Sequence, residues 1–211
     1  MMQRISTWAF SVAFSMVCCA AFAFAEDKDG WICLFDGKTL DGWKVGANSD
    51  SFKVEDGVLV VFGPRGHLFY DGDVEDHHFK NFHFKADVMT TPGSNSGLYF
   101  HTKFQEDGWP EAGYEVQVNI SHGDPKKTSG LYGVRDVLDP LVEDNEWYTQ
   151  EIIVRGRHIV TKVNGKTLVD FTEPEGVRGP RKVSRGTFAV QAHDPKSKVY
   201  LKNIMVKPLG E

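Results

Sequence analysis

Glu115 and Gln117 stand between Tyr114, Val116 and Val118 in the run Gly-Tyr-Glu-Val-Gln-Val, residues 113–118. Successive side chains of an extended chain point to opposite faces, so the carboxylate and the amide share one face and the apolar residues the other. Two more runs repeat the arrangement. In SGLYFHT, Leu98 and Phe100 turn inward and leave Tyr99 and His101 outward. In TFAVQAHD, Phe188, Val190 and Ala192 turn inward and leave Gln191 and His193 outward. With these strands in one sheet, a single surface carries Glu115, two glutamines, two histidines, Asn119 and Tyr99, with no lysine among them. Short, directional groups of this kind suit a hydroxyl-rich ligand, and a carboxylate with an imidazole supplies an acid–base pair. Taken singly, an outward glutamate or histidine on a strand is ordinary solvated surface. The combination drawn from three strands is what marks a candidate site.

Other chemistries fit less well. A retaining laminarinase-type sandwich needs acidic residues repeated along one strand as Glu-x-Asp-x-x-Glu, and the run from Gly113 to Asn119 offers one carboxylate. An ordinary glycosidase needs two carboxyl groups flanking the bond, so Glu115 would need a partner from a loop, such as Asp136 or Asp194. The sequence contains no G-x-S-x-G elbow, P-loop, H-E-x-x-H or C-x-x-C. His77-His78 beside Asp73, Glu75 and Asp76 has metal-ligating types, but neighbours on a strand point apart, and the segment reads as solvated strand entry.

The elements that would position these residues are short alternating runs separated by Gly, Pro, Asn and Asp. SFKVEDGVLVVFG holds two runs meeting at Asp56-Gly57, and HIVTKVNGKTLVDF turns at Asn164-Gly165; both pairs are strong hairpin signals. No window of 11 or more residues keeps a helical period. Strands this frequent predict an all-β jelly-roll sandwich of two antiparallel sheets, with a concave polar face on one of them. Residues 121–147 form the longest stretch without a clear strand, and a second loop, 102–112, carries Trp109-Pro110 into the Glu115 strand. Long loops in compact domains are often functional.

The N-terminus reads as a targeting segment. After Met1-Met2-Gln3-Arg4 comes an apolar run ending in Ala23-Phe24-Ala25, the pattern of a secretory signal peptide over residues 1–25. A membrane anchor is the rival reading, because the run is long enough to span a bilayer. Cys18 and Cys19 raise lipidation, although Ser15-Met16-Val17 lacks the usual pattern before Cys18. Removing 25 of the 211 residues leaves 186, enough for a single domain over 26–211 and no stable membrane span. The destination expected is periplasmic or extracellular. Cys33 is then the only cysteine, so no internal disulfide forms; it sits in the apolar run WICLF as a small core residue. A net charge of −5 with interspersed signs gives no footprint for nucleic acid.

Eight segments occur in an order that resembles a known family: LFDGKTLDGWK (34–44), FKVEDGVL (52–59), GSNSGLYF (93–100), GYEVQV (113–118), LYG (131–133), NEWYTQEIIVRG (145–156), VNGK (163–166), and VQAHD with KNIMVKPL (190–209). Together they resemble the 3-keto-disaccharide hydrolase family, formerly a domain of unknown function, from about Gly30 to Leu209. The resemblance implies a concanavalin-like jelly roll acting on glycosides already oxidised at C3 by a separate sugar oxidoreductase. The ketone acidifies the C2 proton, so the aglycone leaves by elimination and water adds afterwards. That chemistry needs a base, a proton donor for the leaving oxygen and a group that stabilises the enolate. A divalent cation held by carboxylate and imidazole is one candidate for the last role.

Carried over by position, the resemblance implies Glu115 and His193 as catalytic, with Glu115 as base or metal ligand and His193 as its acid–base partner. Gln117, Gln191 and Asn95 match supporting positions, and Tyr99, His101, Tyr132 and Asp136 are implied sugar contacts. Many relatives have Gly after the histidine where this sequence has Asp194-Pro195, and the loop around Arg135 and Asp136 also varies in kind. Two other functional classes stay open at this point. One is a non-catalytic carbohydrate-binding module on the same fold, which Trp109 would suit as a sugar platform. The other is a structural or adhesive surface domain.

Overall fold

The computed structural model describes residues 28–210, so the leader read over residues 1–25 lies outside the described residues. Asp56 and Gly57 both have positive φ (49° and 83°), as do Asn164 and Gly165 (49° and 77°). Two-residue turns of this hand match the right-handed twist of the strands they join, so both expected hairpins form.

Among the described residues fifteen strands follow one another. They are β1 (Ile32–Cys33), β2 (Trp43–Val45), β3 (Phe52–Glu55), β4 (Val58–Phe62) and β5 (Gly66–Tyr70). Next come β6 (Phe82–Thr90), β7 (Asn95–Thr102), β8 (Tyr114–Asn119), β9 (Lys127–Leu131) and β10 (Arg135–Val137). The series ends with β11 (Tyr148–Arg155), β12 (His158–Val163), β13 (Lys166–Thr172), β14 (Thr187–Ala192) and β15 (Lys198–Pro208). One sheet runs β13-β12-β11-β6-β15-β4-β3, with β1 also paired to β15; the other runs β10-β9-β8-β7-β14-β5-β2. Every pairing is antiparallel, as expected for the sandwich. Among the described residues no helix is long and apolar enough to cross a membrane.

The core is the space between the two sheets. Strand β6 alternates strictly, with Phe82, Phe84, Ala86 and Val88 buried against the inward side chains of the other sheet. Phe79, Phe82, Phe84 and Phe188 pack ring on ring, with centroids 4.5 to 4.8 Å apart in the closest pairs. Each fully buried ring contributes roughly 2–3 kcal/mol of hydrophobic stabilisation, and together they fix which face of β7, β8 and β14 points outward.

Two expectations are corrected. Residues 121–147 are not a long loop: they hold β9 and β10, which extend the second sheet beyond β8. The run Lys-Thr-Ser-Gly-Leu carries no apolar alternation because β9 is held by polar contacts, including Thr161 Oγ1 donating to the Ser129 carbonyl at 2.6 Å. The segment around His77 is not extended: Val74–His77 forms 3₁₀ structure kinked where Glu75 and Asp76 adopt left-handed backbone, and the His77 and His78 rings lie 4.8 Å apart instead of pointing apart.

Candidate active site

Strands β8, β7 and β14 lie side by side in the second sheet, so the assumption that they share a surface holds. Leu98, Phe100, Val116, Val118, Phe188, Val190 and Ala192 face the core. Their alternates Tyr99, Glu115, Gln117 and Gln191 floor a cavity of about 380 Å³ on the opposite face. Three loops wall it: Trp109, Pro110 and Gly113 from residues 103–113, Asp124 from residues 120–126, and Arg181 from residues 173–186. Asn95, Tyr132 and His193 complete the lining.

Glu115 is the centre of the floor's hydrogen bonding. Gln191 Nε2 donates to Glu115 Oε1 at 3.2 Å and to the Tyr99 hydroxyl at 2.9 Å, and Tyr99 donates to Glu115 in turn. With its amide oriented to meet acceptors, Gln117 donates to Ser96 O at 3.0 Å and to Glu115 Oε1 at 3.2 Å. Withdrawal from water pushes the Glu115 carboxyl above the usual carboxylate range. The hydrogen bonds from Tyr99 and Gln191 and the charge of Arg181 pull the other way without cancelling it. A backbone detail makes room for the group. A Cβ on Gly97, in the neighbouring strand, would lie 2.4 Å from Glu115 Oε1, so only glycine leaves the carboxylate its place.

His193 follows the end of β14, where its Nδ1 sits 2.8 Å from Asp194 Oδ2. Asp194 also accepts from Ser197 Oγ at 2.7 Å and from the Lys196 N–H at 2.8 Å. Partial burial would raise the Asp194 pKa, but these hydrogen bonds outweigh it and hold the group at about 2. A carboxylate kept anionic fixes the proton of a neutral His193 on Nδ1, leaving Nε2 for ligand.

His122, His193 and Asp194 have ligating atoms within 4.8 Å of one another, so they are the natural set for a divalent cation. Their hydrogen bonding does not suit that role. His122 Nδ1 accepts from the Asp124 N–H at 3.1 Å and meets Asn95 Nδ2 at 3.3 Å. A neutral His122 therefore carries its proton on Nε2 and offers no lone pair there. Asp194, with three donors on its two oxygens, orients His193 instead of completing a coordination sphere.

The implied sugar contacts divide. Asn95, Tyr99, Gln117, Gln191 and Tyr132 line the cavity with Glu115 and His193; Asp136 and His101 do not. Asp136 accepts from the Gly133 N–H at 2.7 Å and pairs with Lys126 at 3.7 Å, so it supports the turn that carries Tyr132. His101 is a correction to the alternation rule. Its backbone is left-handed (φ 54°), which swings the ring off the polar face and against Phe82 and Phe100. There it donates from Nε2 to the Lys80 carbonyl at 2.9 Å and accepts from the Ser184 N–H at 3.2 Å. His101 thus pegs the 173–186 loop from beneath.

That loop supplies the residue the sequence did not reveal, Arg181. Its anchors are the carbonyl of Pro180, which accepts from Gly113 N–H at 3.2 Å, and buried Glu173, which accepts from Tyr114 Oη at 2.5 Å and from the Val183 N–H at 2.8 Å. Arg185 Nε reaches the His78 carbonyl at 2.7 Å. Nothing in Glu-Pro-Glu-Gly-Val-Arg-Gly-Pro-Arg-Lys has a period, so no sequence pattern could assign Arg181 to the pocket. Asp124 was missed as well; its two oxygens take Lys126 N–H at 2.8 Å and the Tyr132 hydroxyl at 3.2 Å. Trp109 had a signal as an aromatic in a loop next to the Glu115 strand, and its ring lies 5.5 Å from that of His193 and 5.8 Å from that of His67.

The architecture is that of the galectin- and concanavalin-like sandwiches. A carbohydrate-binding module, CBM66 of Bacillus subtilis, superposes with a TM-score of 0.58 at 11% identity over 79% of this chain and 95% of that one, a likeness of fold alone. A solved Parabacteroides distasonis protein, provisionally assigned as a glycosyl hydrolase, superposes with a TM-score of 0.72 at 26% identity over 88% of this chain and 96% of that one. Residues 30–207 match the 3-keto-α-glucoside-1,2-lyase-like domain, and the chain belongs to that family. The 3-keto-disaccharide hydrolase of Bacteroides thetaiotaomicron is 30% identical over 179 residues, 69% of this chain. The chain spans 59% of the length of that relative.

Proposed function

We propose that this protein cleaves 3-keto-glycosides, 3-keto-disaccharides among them, by elimination and rehydration at the sugar's C1–C2 bond. Family membership points to this substrate class, and the observation that carries the mechanism is the state of the carboxylates in the pocket. Asp194 is held anionic as a hydrogen-bond acceptor, and Asp124 has both oxygens engaged by donors. Glu115 is withdrawn from water and its pKa is raised above the ordinary carboxylate value, which suits a group that takes and returns a proton. Hydrolysis by two carboxyl groups finds a single suitable one here.

In this reading Glu115 removes the C2 proton that the ketone has made acidic. The electron pair forms the C1–C2 double bond as the C1–O bond breaks, and the leaving oxygen takes a proton from His193, which Asp194 orients. Water then adds across the same bond: its hydroxyl goes to C1 as its remaining proton passes to His193, and the proton held by Glu115 goes to C2, which restores both residues. In this reading Asn95, Gln117, Tyr132 and Gln191, which line the cavity, contact the sugar. Gln191 Oε1, which has no donor in the protein, marks an acceptor unmatched under the floor. The reading includes export to the periplasm or beyond, from the leader pattern of residues 1–25, and supply of substrate by a separate sugar oxidoreductase.

The test is release of a chromogenic aglycone from a 3-keto-glucoside and from its unoxidised parent, with wild type, Glu115→Gln and His193→Ala. Release from the keto substrate alone, lost in both variants, is the expected result. Half-exposed Trp109 favours one second reading, a binding module in which the indole stacks on a sugar. Sugar binding without release from either substrate would establish it.

A further inference from the structure

We infer that Arg181 is the catalytic cation of this pocket, donating hydrogen bonds to the C3 oxygen as enolate charge collects there. The inference rests on the elimination reading above. Removing a proton beside a ketone moves negative charge onto the ketone oxygen, and a fixed donor at that oxygen is commonly the largest single contribution to rate. The candidate cation set cannot fill this role as it stands, because His122 offers no lone pair and Asp194 is committed to His193. The pocket therefore needs its positive charge from a side chain.

Of the cations around the cavity, two are paired with carboxylates. Arg65 pairs with Asp107 at 3.1 Å, and Lys126 pairs with Asp136 at 3.7 Å while lying over the Tyr132 ring. Arg181 lines the cavity, and among the described residues no carboxylate lies within ion-pair distance of it. Its Nη2 donates to the Tyr132 carbonyl, which steadies the guanidinium and leaves further N–H groups for a ligand. Arg181 and Glu115 line the same cavity, and the guanidinium charge opposes the rise of the Glu115 pKa.

The surroundings are built to hold it. Pro180 precedes it with fixed φ, the Pro180 carbonyl is tied to Gly113, and buried Glu173 and His101 clamp the loop on either side through Val183 and Ser184. A guanidinium so placed presents planar donors without reorganising as charge develops.

The experiment measures kcat and KM of wild type, Arg181→Lys and Arg181→Ala on the chromogenic 3-keto-glucoside, with and without a chelator and with added guanidinium ion. Arg181 is surface-exposed, and unchanged melting curves of the variants confirm that folding is intact. Expected are a fall in kcat of about 100-fold or more in Arg181→Ala with KM within a few-fold, the scale of losing one oxyanion donor. Partial rescue by guanidinium, chelator-insensitive wild-type turnover and an acid limb displaced to higher pH in Arg181→Ala are also expected, since the lost charge helps keep Glu115 ionised. A raised KM with unchanged kcat would make Arg181 a substrate anchor and overturn the inference, as would unaltered rates or wild-type activity abolished by chelator. Wild type inactive on the keto substrate overturns the parent reading together with this one; active wild type beside unaffected variants overturns this one alone.

Discussion

In the proposed reaction Glu115 depends on the environment that β7 and β14 build around it. A carboxyl that is withdrawn from water yet touched by Tyr99, Gln117 and Gln191 is held in one rotamer with an elevated proton affinity. Because the base must be ionised, the rate is expected to rise with pH through the Glu115 pKa, and the midpoint of that limb in kcat/KM should lie above 4.5. A midpoint at or below that value would contradict the assigned environment. Glu115→Gln keeps the shape but removes the proposed base; a loss of about 100- to 10,000-fold in kcat and disappearance of the limb are expected. Gly97→Ala tests the same geometry from the neighbouring strand. The added methyl displaces the carboxylate, so activity should fall sharply while the melting temperature changes by only a few degrees, readable by kinetics and thermal melting side by side.

At the scale of elements, the 173–186 loop is the part whose position depends on a few buried polar contacts. Tyr114 Oη and the Val183 N–H both end on Glu173 Oε2, and removing that carboxylate leaves two donors without acceptors. Glu173→Ala should cost roughly 2–3 kcal/mol of stability by the usual penalty for buried orphaned groups. It should also make Arg178 and Arg181 accessible to trypsin before the rest of the chain. Equal protease resistance of the variant and wild type would show that the loop is held by something other than Glu173. The eight-stranded sheet plays the complementary part: its continuous apolar face, from Phe82 to Val88 in β6, fixes which way β7, β8 and β14 face.

For the whole molecule, two buried histidines set an acid limit. His67 is held at about 4, by loss of solvation and then by the charge of Arg65; His101 is held at about 4 by loss of solvation, against the pull of its bond to the Lys80 carbonyl. Both fall from an ordinary value of 6.5, so the folded state disfavours the proton that the unfolded chain accepts. Their contribution to stability is complete above pH 6.5 and is lost as the pH falls toward 4, at about 1.4 kcal/mol per pH unit for each histidine. Urea midpoints measured from pH 7 to pH 4.5 should fall accordingly, and more gently in His101→Gln. A flat profile would mean that neither ring is protected from protonation.

Much of the architecture was legible because strands carry their orientation in a period of two. Tyr114-Glu115-Val116-Gln117-Val118 has one arrangement that buries its apolar residues, and the same holds for the runs ending at Phe100 and Ala192, so Glu115, Gln117, Tyr99 and Gln191 were assigned to one face from sequence alone. The turns at Asp56-Gly57 and Asn164-Gly165 were equally local, since few residues accept left-handed backbone. His101 escaped the same rule because a single left-handed residue at the end of β7 reversed its side chain, and β9 escaped it because polar contacts with distant residues replace apolar alternation. The order β8-β7-β14, the Asp194 brace on His193 and the arrival of Arg181 in the wall of the Glu115 cavity were decided only by tertiary structure. Glu115 and Arg181 are 66 positions apart (181 less 115), and no local propensity records a charge brought across that distance by a loop pinned through Glu173 and His101.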